Sequence, residues 1–298
     1  MKRFVKLAVV FGIVFGVLFG VLAVRSVAAA GDDQAILKAD QSLLQALGKA
    51  DKTAVSALLD EKFEWTDVDG NMRNKAEALR DLTALAKDNE GDTDVQTHFY
   101  GELDIVFGFH HGARFSRIWV KRPAGWRVIT DLDTVKPQPA AAAATPTAPS
   151  GPAGDCDNPC RTLPYKPTTA ADKAVLTEWQ ITKVDEWHPN AADWGTHVAD
   201  DFLIMNDRSE RNKAERVDFA KKQDAAGISA PGDPIVSMTL SDFGNAVLMI
   251  SHHVPYRGGK PYYNVRVFVK HGNGWPIAWS QQTTNQSATP VPAVGAKK

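Results

Sequence analysis

The sequence predicts an α+β protein made of two copies of one unit, each with helices covering one face of a curved antiparallel sheet. Three observations lead there. The pentapeptide Arg73-Asn74-Lys75-Ala76-Glu77 returns as Arg211-Asn212-Lys213-Ala214-Glu215. An aromatic-led strand pattern precedes each copy, Phe63-Glu64-Trp65-Thr66-Asp67 and Phe202-Leu203-Ile204-Met205-Asn206. Each copy then opens a helical run that gives way to long alternating strands. Asn followed three residues on by Glu is a capping-box arrangement, so the pentapeptide is a helix start and a register mark for the duplication.

At the start of the chain, Lys2, Arg3 and Lys6 precede an uninterrupted apolar stretch from Leu7 to Val24, and Ala28-Ala29-Ala30 follows. A positive beginning, an apolar centre and small residues assign residues 1–30 to a secretory signal peptide. The stretch approaches the length of a membrane span, so an uncleaved inner-membrane anchor is the alternative. The expected location is periplasmic or secreted. The remaining length suits two domains of ordinary size. A formal net charge of -1, with both signs interspersed, leaves no basic face and argues against nucleic acid as a partner.

Unit one is expected over residues 31–136. Leu37, Leu44, Leu47, Val55, Leu58 and Leu59 fall near helical spacing, and Gly48 and Asp51 divide the run into two helices. In the strand that follows, Phe63, Trp65 and Asp67 share one face. Asp69-Gly70 signals a turn, and Asn74 to Lys87 is the third helix. Strands are expected from Ile105 to Phe109, Ala113 to Lys121 and Trp126 to Leu132. On the middle one, Ser116, Ile118 and Val120 face one way, while Phe115, Arg117, Trp119 and Lys121 face the other.

Residues 137–169, rich in Pro and Ala, read as a semi-extended linker. Cys156 and Cys160 lie within it and are the sole cysteines, so in an oxidising compartment they are expected to pair locally. Two thiols cannot fill a tetrahedral zinc site, and their spacing is not that of a redox dithiol. Unit two spans residues 170–285 and a flexible tail 286–298. Arg117 matches Arg266, Trp119 matches Phe268, Lys121 matches Lys270 and Thr134 matches Thr283.

The closing hairpin, Ile118-Trp119-Val120-Lys121 to Gly125-Trp126, joins the Asp69-Gly70 turn, the Lys-Ala-Glu helix start and the order of elements. Together they resemble the nuclear transport factor 2-like superfamily, and within it the bacterial ketosteroid-isomerase-like and polyketide-cyclase-like domains of mostly unknown function. The resemblance implies two cone-shaped domains, each with about three helices and a pocket between helices and sheet. Members include isomerases, cyclases, dehydratases and plain binding or assembly domains, so the fold does not choose a reaction. The resemblance also places Asp67, three residues before Gly70, where the isomerases carry a general base. Alternation aims it inward, where apolar walls would raise its pKa. A rim or turn carboxylate is the competing reading. Unit one offers no tyrosine in its first helix as an oxyanion donor, and unit two has Asn206 at the position of Asp67.

His110-His111 and His252-His253 end corresponding strands, so one of each pair can face a pocket. His110 and His252 join Trp65 and Asn206 as pocket candidates. Neighbours in a strand do not readily share an ion, and no metal or cofactor is expected. The expected function is an exported tandem protein that binds a small apolar molecule. The alternatives are an isomerase or dehydratase using Asp67, and a protein-assembly module. The strand faces carrying Trp119 and Phe268 are expected to meet in an intramolecular pseudo-dimer, with the opposite faces on the helices. Protein from the native envelope fraction should have an intact mass that begins after Ala30. A mass that retains residues 1–30 assigns the anchor instead.

Overall fold

The computed structural model describes residues 34–137 and 155–292. The leader, residues 138–154 of the linker and the last part of the tail lie outside the described residues. In unit one, α1 (34–48) and α2 (Lys52–Leu58) precede β1 (Leu59–Thr66) and β2 (Met72–Asn74). Then come α3 (Lys75–Arg80), α4 (Leu82–Asp88), β3 (Thr93–Phe99), β4 (Leu103–His110), β5 (Ala113–Arg122) and β6 (Gly125–Val135). Unit two repeats the order. Helix α5 (Ala170–Trp187), α6 (Ala191–Trp194) and a 3-10 turn (Gly195–His197) lead into β7 (Val198–Met205) and β8 (Glu210–Asn212). They are followed by α7 (Lys213–Ala225), β9 (Ile235–Asp242), β10 (Ala246–His253), β11 (Tyr262–Val269) and β12 (Ile277–Thr284).

The repeated pentapeptide does what its composition dictates. Asn74 and Asn212 each accept the backbone N–H of the Glu at the third helical position, and that Glu accepts the Asn backbone N–H in return. The first of these helices is broken at Asp81, whose carboxylate accepts from Ala84 and starts α4. No Gly or Pro marks that break in the sequence.

Each unit forms a six-stranded sheet, in the order β2-β1-β6-β5-β4-β3 and β8-β7-β12-β11-β10-β9. The sheets are mixed, not purely antiparallel as expected. Strand β1 runs parallel to β6, and β7 parallel to β12. Alternation fixes which way a strand's side chains point, but not the direction in which the strand is threaded. The α+β class and the tandem organisation are as the sequence predicts.

The apolar core lies in three layers. Phe63, Trp65, Phe115 and Trp119 pack with Ile36, Leu43 and Val55 on the helix side of unit one. Phe202, Phe268 and Trp275 pack with Val175 and Trp179 on the helix side of unit two. Between the sheets, Ile105, Phe107, Ile118, Val120 and Leu132 meet Leu248, Val265, Val267 and Trp279. Burying each such side chain stabilises by roughly 1.5–3 kcal/mol.

The units therefore touch through the faces opposite to those expected. Trp119 and Phe268 are not at the contact; each is fully buried under its own helices. The reason is charge pairing that the strand pattern does not display. Arg117 and the Trp119 indole, which look suited to an outer face, are both bound by Asp40 from α1. The face carrying Ile118 and Val120 is left for the partner sheet.

Polar contacts fix the register of that interface. Thr134 Oγ1 lies 2.8 Å from Thr283 Oγ1, and Gln281 Nε2 donates to Leu132 O at 2.9 Å. Thr134 and Thr283 occupy matching positions, so a residue meeting its own counterpart marks a local pseudo-two-fold axis.

Residues 155–169 also differ from expectation, since they pack on unit two. The Cys156–Cys160 disulfide closes a short loop, and Asn158 within it both donates to and accepts from the Ile235 backbone at 2.8 and 3.0 Å. Leu163 and Tyr165 then cover the unit-two core. Linker composition, averaged over the segment, hides these few anchoring side chains. Among the described residues no helix is long and apolar enough to cross a membrane.

The segment after β12 docks on the β1–β2 turn of unit one. Gln286 N–H donates to Asp69 O at 2.7 Å, and Ser287 Oγ to Asn71 Oδ1 at 3.1 Å. Gly70 has φ +74°, and a Cβ there would lie 2.6 Å from Asn285 Cα. Gly91 has a similar φ of +79° but open space around it. Gly91→Ala should therefore cost about 1–3 kcal/mol of backbone strain alone. Gly70→Ala should cost more, measured by urea denaturation. Equal losses would mean that the docked segment contributes nothing.

Candidate ligand-binding site

The interior of unit one holds a network of buried ion pairs. Arg117, fully buried on β5, donates from Nε and Nη2 to Asp40 at 2.7 and 2.9 Å, and from Nη1 to Asn89 at 2.8 Å. It also pairs with Asp92 and lies over the Phe115 ring. His110, at the end of β4, stands 3.1 Å from Asp92 and 3.0 Å from Asp133. Burial alone would lower its pKa, but Asp133 and Asp92 raise it to about 10. Burial pushes the Asp131 and Asp133 carboxyls on β6 upward.

The four pocket candidates and Asp67 fare unequally. Trp65 is buried, donates to Asp88 at 3.0 Å and lies under the Arg73 guanidinium. His110 faces inward, into the ion network. Asp67 does not point into a cone. It accepts from the Asp69 and Asn71 backbone N–H groups, the Asn71 side chain and Arg73, and so holds the β1–β2 turn together. Asn206 does the same for the β7–β8 turn by accepting from Arg208 and Ser209. The pleat carries side chains past the strand end differently from the ideal alternation, because the chain bends at the turn.

His252 faces away from the unit-two cone and stacks on Tyr263. Its neighbour His253 is the inward one. Strands β4 and β10 match end to end, so His253, not His252, is the counterpart of His110.

Unit two encloses a cavity of about 220 Å³. Its apolar walls are Trp179, Trp194, Phe202, Ile204 and Ile277. Its polar lining includes Lys183 and Glu186 from α5, His253 from β10, Tyr262 and Arg266 from β11 and Asp233, and Arg216 on α7 stands behind Glu186. On α5, Lys183 Nζ lies 2.7 Å from Glu186 Oε2, and on α7 Arg216 Nη2 lies 3.0 Å from Glu186 Oε1. These cations hold the Glu186 carboxyl low despite burial, which alone would raise it; burial lowers Lys183. Near β11, the Tyr262 hydroxyl donates to Asp233 at 3.0 Å.

Arg266 on β11 is the counterpart of Arg117, but its environment is different. Asp40 and Trp179 stand equally far before the N-cap residues Asp51 and Asn190 of the next helices, so an indole replaces the carboxylate. Arg266 lies over that indole, 5.2 Å from its ring centroid. Among the described residues its side chain makes one hydrogen bond, from Nη1 to Ser251 Oγ at 3.0 Å. Ser251 in turn lies 2.9 Å from His253 Nε2, and His253 Nδ1 lies 3.1 Å from the Asp233 carbonyl. A carbonyl only accepts, so Nδ1 carries the proton, Nε2 accepts from Ser251, and Ser251 accepts from Arg266. Burial and then the Arg266 charge push His253 well below its ordinary pKa, consistent with this neutral tautomer. Burial also lowers Arg266 to about 10. Among the described residues no carboxylate lies within ion-pair distance of it.

A second cavity of about 420 Å³ lies between the units, against Phe63, Glu64, Ile129, Leu240, Leu248 and Ile250. It lacks a buried cation. Sequence reasoning missed the unit-two set because Arg266 was read on the outer face. Its signal was present on α5, where Trp179, Lys183 and Glu186 recur at helical spacing on one stripe.

No protein-family model and no curated protein matches the sequence. Solved structures do. One is a nuclear transport factor 2-like protein from Cytophaga hutchinsonii, 16% identical, covering 34% of this chain and 95% of its own, with a TM-score of 0.30. Another is a nuclear transport factor 2-like protein of unknown function in nutrient uptake from Rhodospirillum rubrum, 22% identical, covering 34% and 98%, with a TM-score of 0.28. A third, labelled a dehydratase of the same family, comes from Streptomyces avermitilis; it is 15% identical, covers 37% and 99%, and has a TM-score of 0.31.

The ion network of unit one sets a pH dependence. A His whose folded pKa is raised contributes stability that is complete below its unfolded value and lost as pH rises through about 10. The raised carboxyls act in the same direction at lower pH, because the folded state holds protons that the unfolded state has released. The unfolding midpoint of unit one should fall steadily from pH 5 to pH 10, and His110→Gln should flatten the part above about pH 6.5. A midpoint that rises over this range contradicts the network.

Proposed function

We propose that the chain is an exported binding protein whose second unit holds a small molecule with an acidic group and a compact apolar body. The observation that carries this reading is Arg266, a buried cation without a carboxylate partner that lines an apolar cavity. Taking an unpaired ion out of water costs several kcal/mol, which a structural residue would not retain without return. Bound anion supplies the missing charge. In unit one Asp40 and Asp92 supply it internally.

The cavity volume sets the size of the guest. Drug-sized sites enclose about 300–1,000 Å³, so this one suits a single ring or a short chain bearing one carboxylate. Trp179 and Phe202 offer faces for such a body, and Arg266 can engage an acid with the guanidinium edge not used on Ser251. The expectation of a purely apolar guest is thereby narrowed to an amphipathic acid. Asp67 has every carboxylate oxygen engaged by its turn, which gives proton transfer there no support.

Thermal shift and calorimetry with benzoate, phenylacetate and hexanoate test the reading, with the matching amides as uncharged controls. The acids should raise the unfolding temperature of unit two and the amides should not. Arg266→Met should abolish that shift while leaving the free protein as stable as before or more so, because it removes an unpaired buried charge. Amides that bind as well as acids, or an Arg266→Met protein that keeps the shift, would sink the proposal.

A further inference from the structure

We infer that Asp185, Asp193 and His197 form a binding site for one divalent transition-metal ion, outside the cone cavity of unit two. One ligand atom from each lies within 4.8 Å of the others. Asp185 comes from α5, Asp193 from α6 and His197 from the 3-10 turn that follows. The short His188-Pro189-Asn190 connection thus brings three donors from three successive elements to one place.

The second observation is the state of Asp185. It is 8% exposed, and its Oδ2 has no hydrogen-bond partner. A buried carboxylate oxygen without a donor is costly, and native structures avoid it unless something else fills the role. No Lys or Arg forms an ion pair with Asp185 or Asp193 among the described residues. The shortfall of positive charge therefore falls on the side of the cluster where the donors converge.

The third observation is the imidazole's orientation. His197 Nδ1 lies 2.8 Å from Glu178 Oε1, one helical stretch earlier on α5, and its Nε2 is 3.8 Å from Asp193 Oδ1. A ring whose Nδ1–H donates to a carboxylate presents Nε2 as a lone pair. Carboxylate, histidine and metal in series are the usual arrangement by which proteins fix a metal-ligating ring. Three carboxylates surround this one imidazole, more than an imidazolium could neutralise.

One nitrogen and two carboxylate oxygens suit zinc, manganese or iron(II), and argue against copper(I), which prefers sulfur. Zinc ligands lie about 2.0–2.2 Å from the ion and so about 3.4 Å from one another, and donors now within 4.8 Å must close by up to about an ångström. Asp193 can supply that movement, since its side chain is 51% exposed. Water would complete the coordination from that open side.

The test uses the mature full-length chain without a histidine tag, freed of metal by dialysis against a chelator. Zinc titration by calorimetry should show one saturable equivalent, and cobalt should give a visible absorption band. Asp193→Asn, a surface change, should remove the saturable phase without altering the fold. Glu178→Gln should weaken zinc binding about 10–100-fold. His111→Gln, at an exposed turn in unit one, should change nothing. Absence of a saturable equivalent, or an equivalent that survives Asp193→Asn, overturns the assignment.

Discussion

Two aliphatic strand faces buried against each other constrain everything else in this protein. Ile118 and Val120 on one sheet and Val265 and Val267 on the other form the interface. Successive side chains on a strand point to opposite faces, so Arg117 and Arg266 have only one place to go, the interior of their own cones. Each unit must then solve the same problem of a buried guanidinium on the central strand. The hydrophobic contact thus sets the electrostatic one.

The two solutions differ by a few residues. In unit one, Asp40 reaches Arg117 with both carboxylate oxygens, and Asp92 adds a second charge while binding His110. The result is a buried ion network on the helix side of the unit-one sheet. In unit two, Trp179 takes the place of Asp40, and Asp233 turns its carboxylate to Tyr262 and to the Tyr256 N–H. Among the described residues Arg266 has a hydroxyl and an indole as direct partners and no carboxylate within ion-pair distance. A guanidinium over an indole gains about 2 kcal/mol or more when desolvated, but the contact does not neutralise its charge. The two environments differ in whether the buried guanidinium has a carboxylate within ion-pair distance.

Much of this architecture was legible in the sequence. The repeated Arg-Asn-Lys-Ala-Glu gave the duplication, because a capping box requires Asn and Glu at fixed spacing and needs no tertiary context. The matched pair Thr134 and Thr283 also appeared, although nothing in the pattern said that they touch. The orientation of the sheets was not legible. A strand with Ser116, Ile118 and Val120 on one side and Arg117 and Trp119 on the other looks as if it hides the aliphatic side under helices. Only Asp40, far away on α1, reverses that judgement. The site failed for a related reason. Asp67 and Asn206 stand one residue beyond regular strand, where the turn's need for acceptors outweighs alternation. His253 was displaced by His252 because an adjacent pair has no internal mark of which member faces in.

Strand β12 shows why the two units cannot be considered separately. Gln281 and Thr283 reach across to Leu132, Thr134 and the Asp133 carbonyl of unit one. Ser280 and Gln282, the residues between and before them, line the unit-two cavity. Side chains two apart share a face, so a one-residue slip of β12 would exchange the two sets and place the interface glutamine in the binding site. The hydrogen bonds to unit one therefore fix which side chains the cavity presents. Unit one thus bears on the unit-two cavity by holding a wall strand in register.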